Sequence, residues 1–456
     1  MTLSTLCIHN AKVVTPGGVA DGGVVTADGR ILALLSGTDK ATADTVIDAR
    51  GRMLFAGFVD AHVHMRDPGQ PQKEDFASGS TAAAIGGVTT VMCMPNTKPA
   101  IDSVAGFDLA RHAGERASYV DFALQAAVHP QNHHAMAALW DAGAVSFETM
   151  LADGPPGEAY VNGIVLQQML ANAFELGARV GLYCGCQTVV DASLARLHAA
   201  GRTDFLAFAE SRPPESEVLG LTLLIEARRT TAASVIARQV STARGFKIVA
   251  AAKSEAPKDS IQVEVTPHHL HLDVGTLTRL GPYAQMLPPL RSAADVMAAQ
   301  HATASGAVDF IGSDHAPHAV AEKTTADPWL SPSGTPGLDT LVPAVLDLAA
   351  RQIISYPKVA ALLAAHPAQV FGLADRKGRM AIGADADLVL VDAQAPFHVT
   401  PDAVRSRAGR SPFEGTVLRG RPVLTVLRGD VIAEDGKLVA KQPAGRFLPR
   451  SPAIAT

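Results

Sequence analysis

Short apolar runs alternate with amphipathic segments through the middle of the chain, between about residues 56 and 375. Each run leads through a polar loop into an Ala- and Leu-rich stretch, which predicts a repeated strand and helix unit. Eight runs fit: Phe58–Val63, Val88–Met94, Val120–Val128, Ala144–Met150, Arg179–Cys184, Ser234–Val240, Gln262–Thr266 and Val308–Ser313. Eight units indicate an α/β fold of the (β/α)8 TIM-barrel type, with chemistry at the carboxyl ends of the strands. A doubly wound sheet is less suitable because its Gly-x-Gly-x-x-Gly signal is missing.

The pattern differs at both ends of the chain, where short β-rich pieces such as Leu6–Val14 and Asp385–Val391 are separated by glycine turns. We therefore predict that residues 1–55 and 376–456 form one composite β-sandwich domain beside a barrel domain of residues 56–375. The expected buried residues on the barrel strands are Val88, Val91, Phe122, Val145 and Ile311.

Composition changes this picture little but excludes several classes of function. The chain has 456 residues, 47% of them hydrophobic and 18% charged, with a net charge of −5, which is enough for a large core and a second domain. It has no basic cluster interleaved with aromatic residues, so we expect a small-molecule partner and no nucleic acid. No apolar run reaches membrane-spanning length, the N-terminus has no signal-peptide pattern, and four cysteines are too few for a disulfide framework. These features predict a cytoplasmic protein that does not bind membranes.

Two histidines stand at the end of the first predicted barrel strand. Side chains on a strand repeat every second residue, so His62 and His64 share a face and can bind one cation, with Arg66 beyond them on the same side. A bare His-x-His is equally compatible with two surface histidines. On the eighth strand, the apolar run ends in Asp314 and His315, and a second histidine follows, a pattern that favours a ligand or base over an ordinary turn.

Other polar residues end other predicted strands and would converge on the same barrel mouth. Asn96 follows the second strand, Glu148 is on the fourth, Cys184 on the fifth and Gln239 on the sixth. Taken singly, Glu148 could be a helix-capping acid, Cys184 a small buried apolar residue and Gln239 a polar strand end. Their functional interpretation therefore depends on the site as a whole.

Several motifs give the chain a family resemblance. The matching stretches are Gly57–Arg66, Gly86–Thr97, Val263–Leu270, Pro288–Arg291 and Ser313–His318. With these stretches the chain resembles the cyclic amidohydrolases of the amidohydrolase superfamily, and among them it is most similar to dihydroorotase, with hydantoinase and allantoinase as relatives. The resemblance implies a hydrolase of pyrimidine metabolism that opens a cyclic amide with a metal-activated water.

The resemblance also implies roles for individual residues. Three residues would ligate a divalent metal, and the acid among them would also shuttle the proton of the attacking water: His62, His64 and Asp314. Three others would hold a carboxylate of the substrate: Arg66, Asn96 and His318. A guanidinium fork, an amide and an imidazole around one point suit a planar carboxylate, so the second set is also chemically reasonable by itself.

The chain departs from the family pattern at four positions. Many relatives have a carboxylated lysine that bridges two metals where this chain has Glu148, and ligand histidines where it has Cys184 and Gln239. We therefore predict one zinc per chain, with Glu148 as a possible fourth ligand and Cys184 and Gln239 as weaker candidates. Leu287 stands where dihydroorotases usually have an asparagine, which removes a polar group expected near the substrate ring and leaves the identity of the ring open.

Two hypotheses about function follow. The first is a cyclic amidohydrolase acting on a carboxylate-bearing ring, and the second is a catalytically impaired relative that serves as a structural partner, for example of aspartate transcarbamoylase. We favour the enzyme because the two histidines, the acid and the anion-binding set are all retained, and a scaffold has no physical use for them. We also expect a homo-oligomer, either a dimer or a tetramer.

Overall fold

The computed structural model describes residues 5–154, 158–160 and 162–450 of the chain. The strands are β1 (Thr5–Thr15), β2 (Gly18–Ala27), β3 (Arg30–Ser36), β4 (Thr45–Asp48), β5 (Met53–Ala56), β6 (Phe58–Val63), β7 (Val88–Cys93), β8 (Asp121–Leu124), β9 (Ala126–Ala127), β10 (Phe147–Met150), β11 (Arg179–Tyr183), β12 (Ser234–Arg238), β13 (Ile261–Val265), β14 (Phe310–Ile311), β15 (Leu388–His398), β16 (Val417–Leu427), β17 (Asp430–Glu434) and β18 (Lys437–Leu438). The α-helices are α1 (Phe76–Ile85), α2 (Val104–Ala117), α3 (Met136–Asp141), α4 (Gly163–Glu175), α5 (Gln187–Ala199), α6 (Phe205–Glu210), α7 (Pro214–Thr231), α8 (Ala243–Glu255), α9 (Pro267–His271), α10 (Gly275–Leu280), α11 (Ala293–Ser305), α12 (Leu341–Ala350), α13 (Tyr356–Ala360) and α14 (His366–Val370).

Strands β6 to β14 are parallel to one another and form the barrel, with β8 and β9 together occupying the third position. The eighth position returns to the first, because Val63 pairs with His315 and the His64 amide donates to the His315 carbonyl at 2.7 Å. All eight predicted strands are present, so the predicted (β/α)8 fold is confirmed. Its closure places the ends of β6 and β14, which carry the histidine pair and Asp314, next to each other.

Apolar side chains fill the barrel and its surround. Inside, Val59, Met92, Ile236 and Phe310 pack in one cluster with Leu448 from the C-terminal tail. The five residues predicted to be buried, Val88, Val91, Phe122, Val145 and Ile311, are each at most 3% exposed. The barrel is thus a packed core whose chemistry is confined to its mouth.

Both ends of the chain share one nine-stranded sheet, which runs in the order β18-β17-β16-β15-β5-β1-β2-β3 with β4 beside β1. Strand β15 pairs antiparallel with β5, and β5 pairs parallel with β1, so the C-terminal strands join the N-terminal ones directly. This sheet encloses its own apolar cluster, which includes Ile8, Val24, Leu54, Leu388 and Val426. The composite β-sandwich is therefore confirmed, while the residue bounds of the two domains stay a prediction.

One buried lysine connects the sandwich to the barrel. The Lys377 ammonium lies 2.6 Å from Asp121 on β8, 2.9 Å from Asp385 and 2.7 Å from Asp387. Although these three aspartates are close enough to hold a metal ion, the ammonium already occupies the space between them. We therefore regard this cluster as a structural link. Separately, no helix in the described residues is long and apolar enough to cross a membrane.

Candidate metal centre

The two histidines at the end of β6 face the aspartate that follows β14. The Nε2 atoms of His62 and His64 lie 3.2 and 3.3 Å from the same oxygen, Oδ1 of Asp314. Ligand atoms of all three residues lie within 4.8 Å of one another. The structure thus brings together the three residues that the sequence pattern singled out first.

The other ring nitrogen of each histidine is tethered to an oxygen. Nδ1 of His62 lies 2.7 Å from Oε1 of Glu264, and Nδ1 of His64 lies 2.6 Å from Oδ1 of Asn96. Ionised carboxylate and amide oxygens only accept hydrogen bonds, so each Nδ1 carries a hydrogen, and each ring in its neutral form has its lone pair on Nε2. This arrangement of a ligand histidine with an oriented outer nitrogen is typical of metal sites.

Burial and neighbouring charges shift the pKa values of all three residues. Burial lowers the pKa of His64 to about 4, so its ring is neutral near pH 7. Burial also acts to lower the pKa of His62, but the carboxylates of Glu264 and Asp314 outweigh it and raise that pKa. Although burial opposes its ionisation, the neighbouring histidines hold the pKa of Asp314 well below its usual range. Two imidazole nitrogens and one carboxylate oxygen form a donor set that zinc accepts readily, with room for further ligands.

Glu148 does not join these three ligands, although the sequence made it a candidate fourth. Its Oε2 accepts from Nε of Arg238 at 3.0 Å and its Oε1 from Nη2 at 2.6 Å. Oε1 also accepts from the Ser146 hydroxyl at 2.8 Å. The carboxylate is therefore committed to a buried guanidinium, which corrects its predicted place in the metal centre.

Cys184 and Gln239 also have other partners. The Cys184 sulfur makes its hydrogen bond to the Leu182 carbonyl, and burial raises the pKa of this thiol, so the thiolate that a metal requires is disfavoured. Gln239 donates from Nε2 to Oδ2 of Asp314 at 2.7 Å and to the Leu287 carbonyl at 3.1 Å. Gln239 thus orients the acid through a hydrogen bond, and the weaker ligand candidates are corrected accordingly.

The predicted anion-binding residues differ in their freedom to bind a ligand. Arg66 is buried, donates from Nε to the Pro317 carbonyl at 3.2 Å, and has no salt bridge to any described carboxylate. Burial lowers its pKa to about 10, which still leaves it cationic. Asn96 is exposed, and its amide nitrogen is not used in the bond to His64. Arg66 and Asn96 can therefore contact a ligand anion.

His318 has both ring nitrogens within reach of protein atoms. Nε2 lies 3.0 Å from the Ser333 carbonyl and Nδ1 lies 3.2 Å from the Lys73 ammonium. Burial, with the positive charges of Arg66, Lys73 and Lys323 nearby, lowers the pKa of His318 to about 2, so the ring is neutral. His318 therefore donates to Ser333 and accepts from Lys73, which leaves it no hydrogen to offer a substrate carboxylate.

Four residues of this region were missed when the sequence was considered alone. Glu264 and His268 lie in the stretch Val263–Leu270, which was noted only for its family likeness. Nε2 of His268 is buried and has no hydrogen-bond partner among the described residues. Arg238 directly precedes Gln239, and Lys73 follows the first strand at some distance. For Glu264 and Arg238, the sequence did offer a signal of a functional role, because each is a charged residue inside an apolar strand.

Two family models and several solved structures are similar to this chain. A family model described as "Amidohydrolase family" matches residues 138–432, and one described as "Dihydro-orotase-like" matches residues 51–154. Among solved structures, an L-hydantoinase (dihydropyrimidinase) from Arthrobacter aurescens superposes with a TM-score of 0.94 at 29% identity, covering 98% of this chain and 100% of that one. A dihydropyrimidinase from Brevibacillus agri gives a TM-score of 0.90 at 26% identity, covering 98% and 99%.

Relatives with different names are similar over nearly the whole chain. An L-hydantoinase of Paenarthrobacter aurescens is 31% identical and covers 97% of both chains. A dihydroorotase of Methanothermobacter thermautotrophicus is 33% identical over 92% of this chain and 93% of its own. An allantoinase of Rubrobacter xylanophilus is 34% identical over 98% of both. The chain is about equally identical to three differently named enzymes. The ring that it opens must therefore be inferred from the residues of the site.

Proposed function

Because this chain belongs to the amidohydrolase family of metal-dependent cyclic amide hydrolases, we propose that it opens a carboxylate-bearing cyclic amide with one divalent ion, most suitably zinc. His62, His64 and Asp314 would hold the ion. The convergence of both Nε2 atoms on one Asp314 oxygen, with both Nδ1 atoms tethered, carries the proposal. The alternative of a non-catalytic structural partner is not supported, since the full-length relatives are named as enzymes.

The protein residues supply orientation and proton transfer. When bound, a divalent ion supplies Lewis-acid activation of water and of an amide carbonyl. Asp314 faces both histidines through Oδ1, while its Oδ2 accepts from the Gln239 amide. This hydrogen bond orients the carboxylate plane, which supports a role for Asp314 in accepting a proton from the attacking water and returning it to the leaving ring nitrogen.

The proposal of a carboxylate-bearing substrate rests on Arg66, whose charge has no salt-bridge partner among the described residues. A buried guanidinium without a protein carboxylate is costly unless a ligand anion completes it. Arg66 lies close enough to Asp314 and His64 for their charges to affect one another's pKa values. A ring held at the metal centre would therefore place an attached carboxylate at Arg66, with the free amide nitrogen of Asn96 as a second donor.

Paired ligands test this proposal. Dihydroorotate and a hydantoin carrying a carboxymethyl group would each be compared with the same ring lacking its carboxylate, in the wild type and in Arg66→Gln. Loss of a charge-assisted pair should weaken binding of the carboxylate-bearing rings by about 1.5–3 kcal/mol, roughly 10- to 150-fold. The carboxylate-free rings should bind both proteins equally, as measured by calorimetry or by inhibition constants.

Arg229→Gln is the matched control, because Arg229 is an exposed arginine that pairs with Glu226 and Glu255 on the surface. It should leave all affinities unchanged. Equal affinity of wild type and Arg66→Gln for both members of every pair would contradict the assigned anion. The dimer or tetramer and the cytoplasmic location expected from the sequence remain predictions.

A further inference from the structure

A fully paired arginine lies inside the barrel, where an apolar core would be expected. The Arg238 side chain is 2% exposed. All five of its N–H donors have acceptors. Two go to Glu148, one each to the carboxylate of Glu264 and the side-chain oxygen of Gln125, and one to the Ala61 carbonyl. Such complete pairing is the condition under which a charge can be buried.

The surrounding residues form a socket for this guanidinium. The rings of Phe310 and Phe371 lie with their centres 5.9 and 5.4 Å from its Cζ, within range of cation–π attraction. On the neighbouring strand β11, Gly181 leaves the necessary space, because a Cβ there would collide with the Glu148 carboxylate and lie 2.6 Å from Nε of Arg238. Strands β10, β11 and β14 thus contribute to the socket around Arg238, which is itself on β12.

The Glu264 carboxylate connects this socket to the metal centre. Glu264 binds Arg238 through Oε2 and His62 through Oε1, so the guanidinium and the ligand histidine share a single side chain. Glu148, the other partner of Arg238, occupies the position where the family resemblance implies a lysine bridging two metals. Gln239, where the resemblance implies a second-metal histidine, is the next residue after Arg238.

The charges of this ion-paired network suit one divalent ion. Three carboxylates, those of Glu148, Glu264 and Asp314, are joined to one guanidinium and to the imidazoles of His62 and His64. A metal ligand histidine must be neutral, and with both imidazoles neutral the network has a net charge of minus two. One divalent cation neutralises that charge. A second would leave an excess of positive charge in a buried region, where uncompensated charge is costly.

We propose that the Arg238 guanidinium takes the place of a second metal ion, neutralising Glu148 and Glu264 and so making the centre mononuclear. Arg238 touches neither substrate nor reacting atoms in this account. It is a positioning residue that acts through Glu264 on His62. The inference rests on the proposed function, since it requires the first ion to be held by His62, His64 and Asp314.

Metal stoichiometry tests the inference without relying on turnover. Chelator-treated full-length protein would be dialysed to equilibrium against buffered Zn²⁺, and zinc per chain would be measured by mass spectrometry. The wild type should saturate at one ion. Arg238→Gln removes the charge and frees two carboxylates, so it should bind two, whereas Arg238→Lys keeps the charge and should bind one. The variant His62→Ala/His64→Ala should lose the ion of the wild type.

A second variant keeps the test decisive if Arg238→Gln does not fold. Glu148→Gln removes one negative charge but leaves every proposed ligand in place, so Zn²⁺ should bind about tenfold more weakly. Two ions in the wild type, a single ion in folded Arg238→Gln, or unchanged Zn²⁺ affinity in Glu148→Gln would each overturn the role of Arg238. Zinc retained by His62→Ala/His64→Ala would instead overturn the proposed metal centre, so the two failures are distinguishable.

Discussion

Single side chains near the barrel mouth differ in how many of their polar atoms are already bonded within the protein. Among the described residues, the Nε2 atoms of His62 and His64 have no partner other than Asp314, whereas both oxygens of Glu148 are bound by Arg238. Residue type alone made Glu148 a plausible ligand. The bonding state, which separates ligand from ion-pair partner, depends on the neighbouring strands and could not be obtained from residue type.

Lys323 gives a prediction at the same scale. It is buried and donates to the carbonyls of Pro282 and Gln285, and burial, with Arg66 nearby, lowers its pKa from 10.5 to about 7. Between pH 7 and 10 the unfolded chain therefore holds a proton that the native protein releases, so this lysine makes stability rise with pH, by up to about 1.4 kcal/mol per pH unit. Below pH 7 the lysine is protonated in both states, so the full cost of burying its charge destabilises the native protein.

Denaturant unfolding at several pH values would measure this contribution. The stability of Lys323→Met relative to wild type should be highest near pH 6 and should fall as the pH rises to 10. Lys247→Met, which replaces an exposed lysine, is the control. If the wild type and Lys323→Met differ by the same free energy at every pH, the lowered pKa is wrong.

At the scale of elements, strand ends were predictable and side-chain pairing across strands was not. Apolar runs located β6 and β14, and barrel closure then implied that His62, His64 and Asp314 would meet. By contrast, the Arg238–Glu148 pair spans two strands that are separated by β11. The sequence shows the two charged residues but contains no local signal that Gly181 leaves space for them.

Gly181→Ala tests the space between these strands. Its Cβ would crowd the Glu148 carboxylate and the Arg238 guanidinium, both buried, so the free energy of unfolding should fall by about 1–3 kcal/mol. Gly17→Ala is a suitable control, because the nearest atom to an added Cβ there is 3.7 Å away. Thermal unfolding of the two variants and the wild type would show the difference. A Gly181→Ala protein as stable as Gly17→Ala would contradict the crowded packing described for β11.

At the scale of the whole molecule, buried charge links the sandwich to the barrel. Replacing Lys377 by Met leaves three aspartates in a buried site without their cation. Breaking such a cluster should cost about 3–5 kcal/mol of unfolding free energy. Lys12→Met, which removes an exposed pair with Asp21, should cost at most about 1 kcal/mol. Similar denaturation midpoints for the two variants would show that the Lys377 cluster adds little stability.

The proposed chemistry depends most on one divalent ion bound between the ends of β6 and β14. Anomalous diffraction at the zinc edge, from crystals grown with Zn²⁺, would locate every bound zinc directly. We expect one peak per chain, in contact with Nε2 of His62, Nε2 of His64 and the Asp314 carboxylate, and no peak at Glu148. Two peaks in the barrel mouth, or a single peak away from these three residues, would contradict the account.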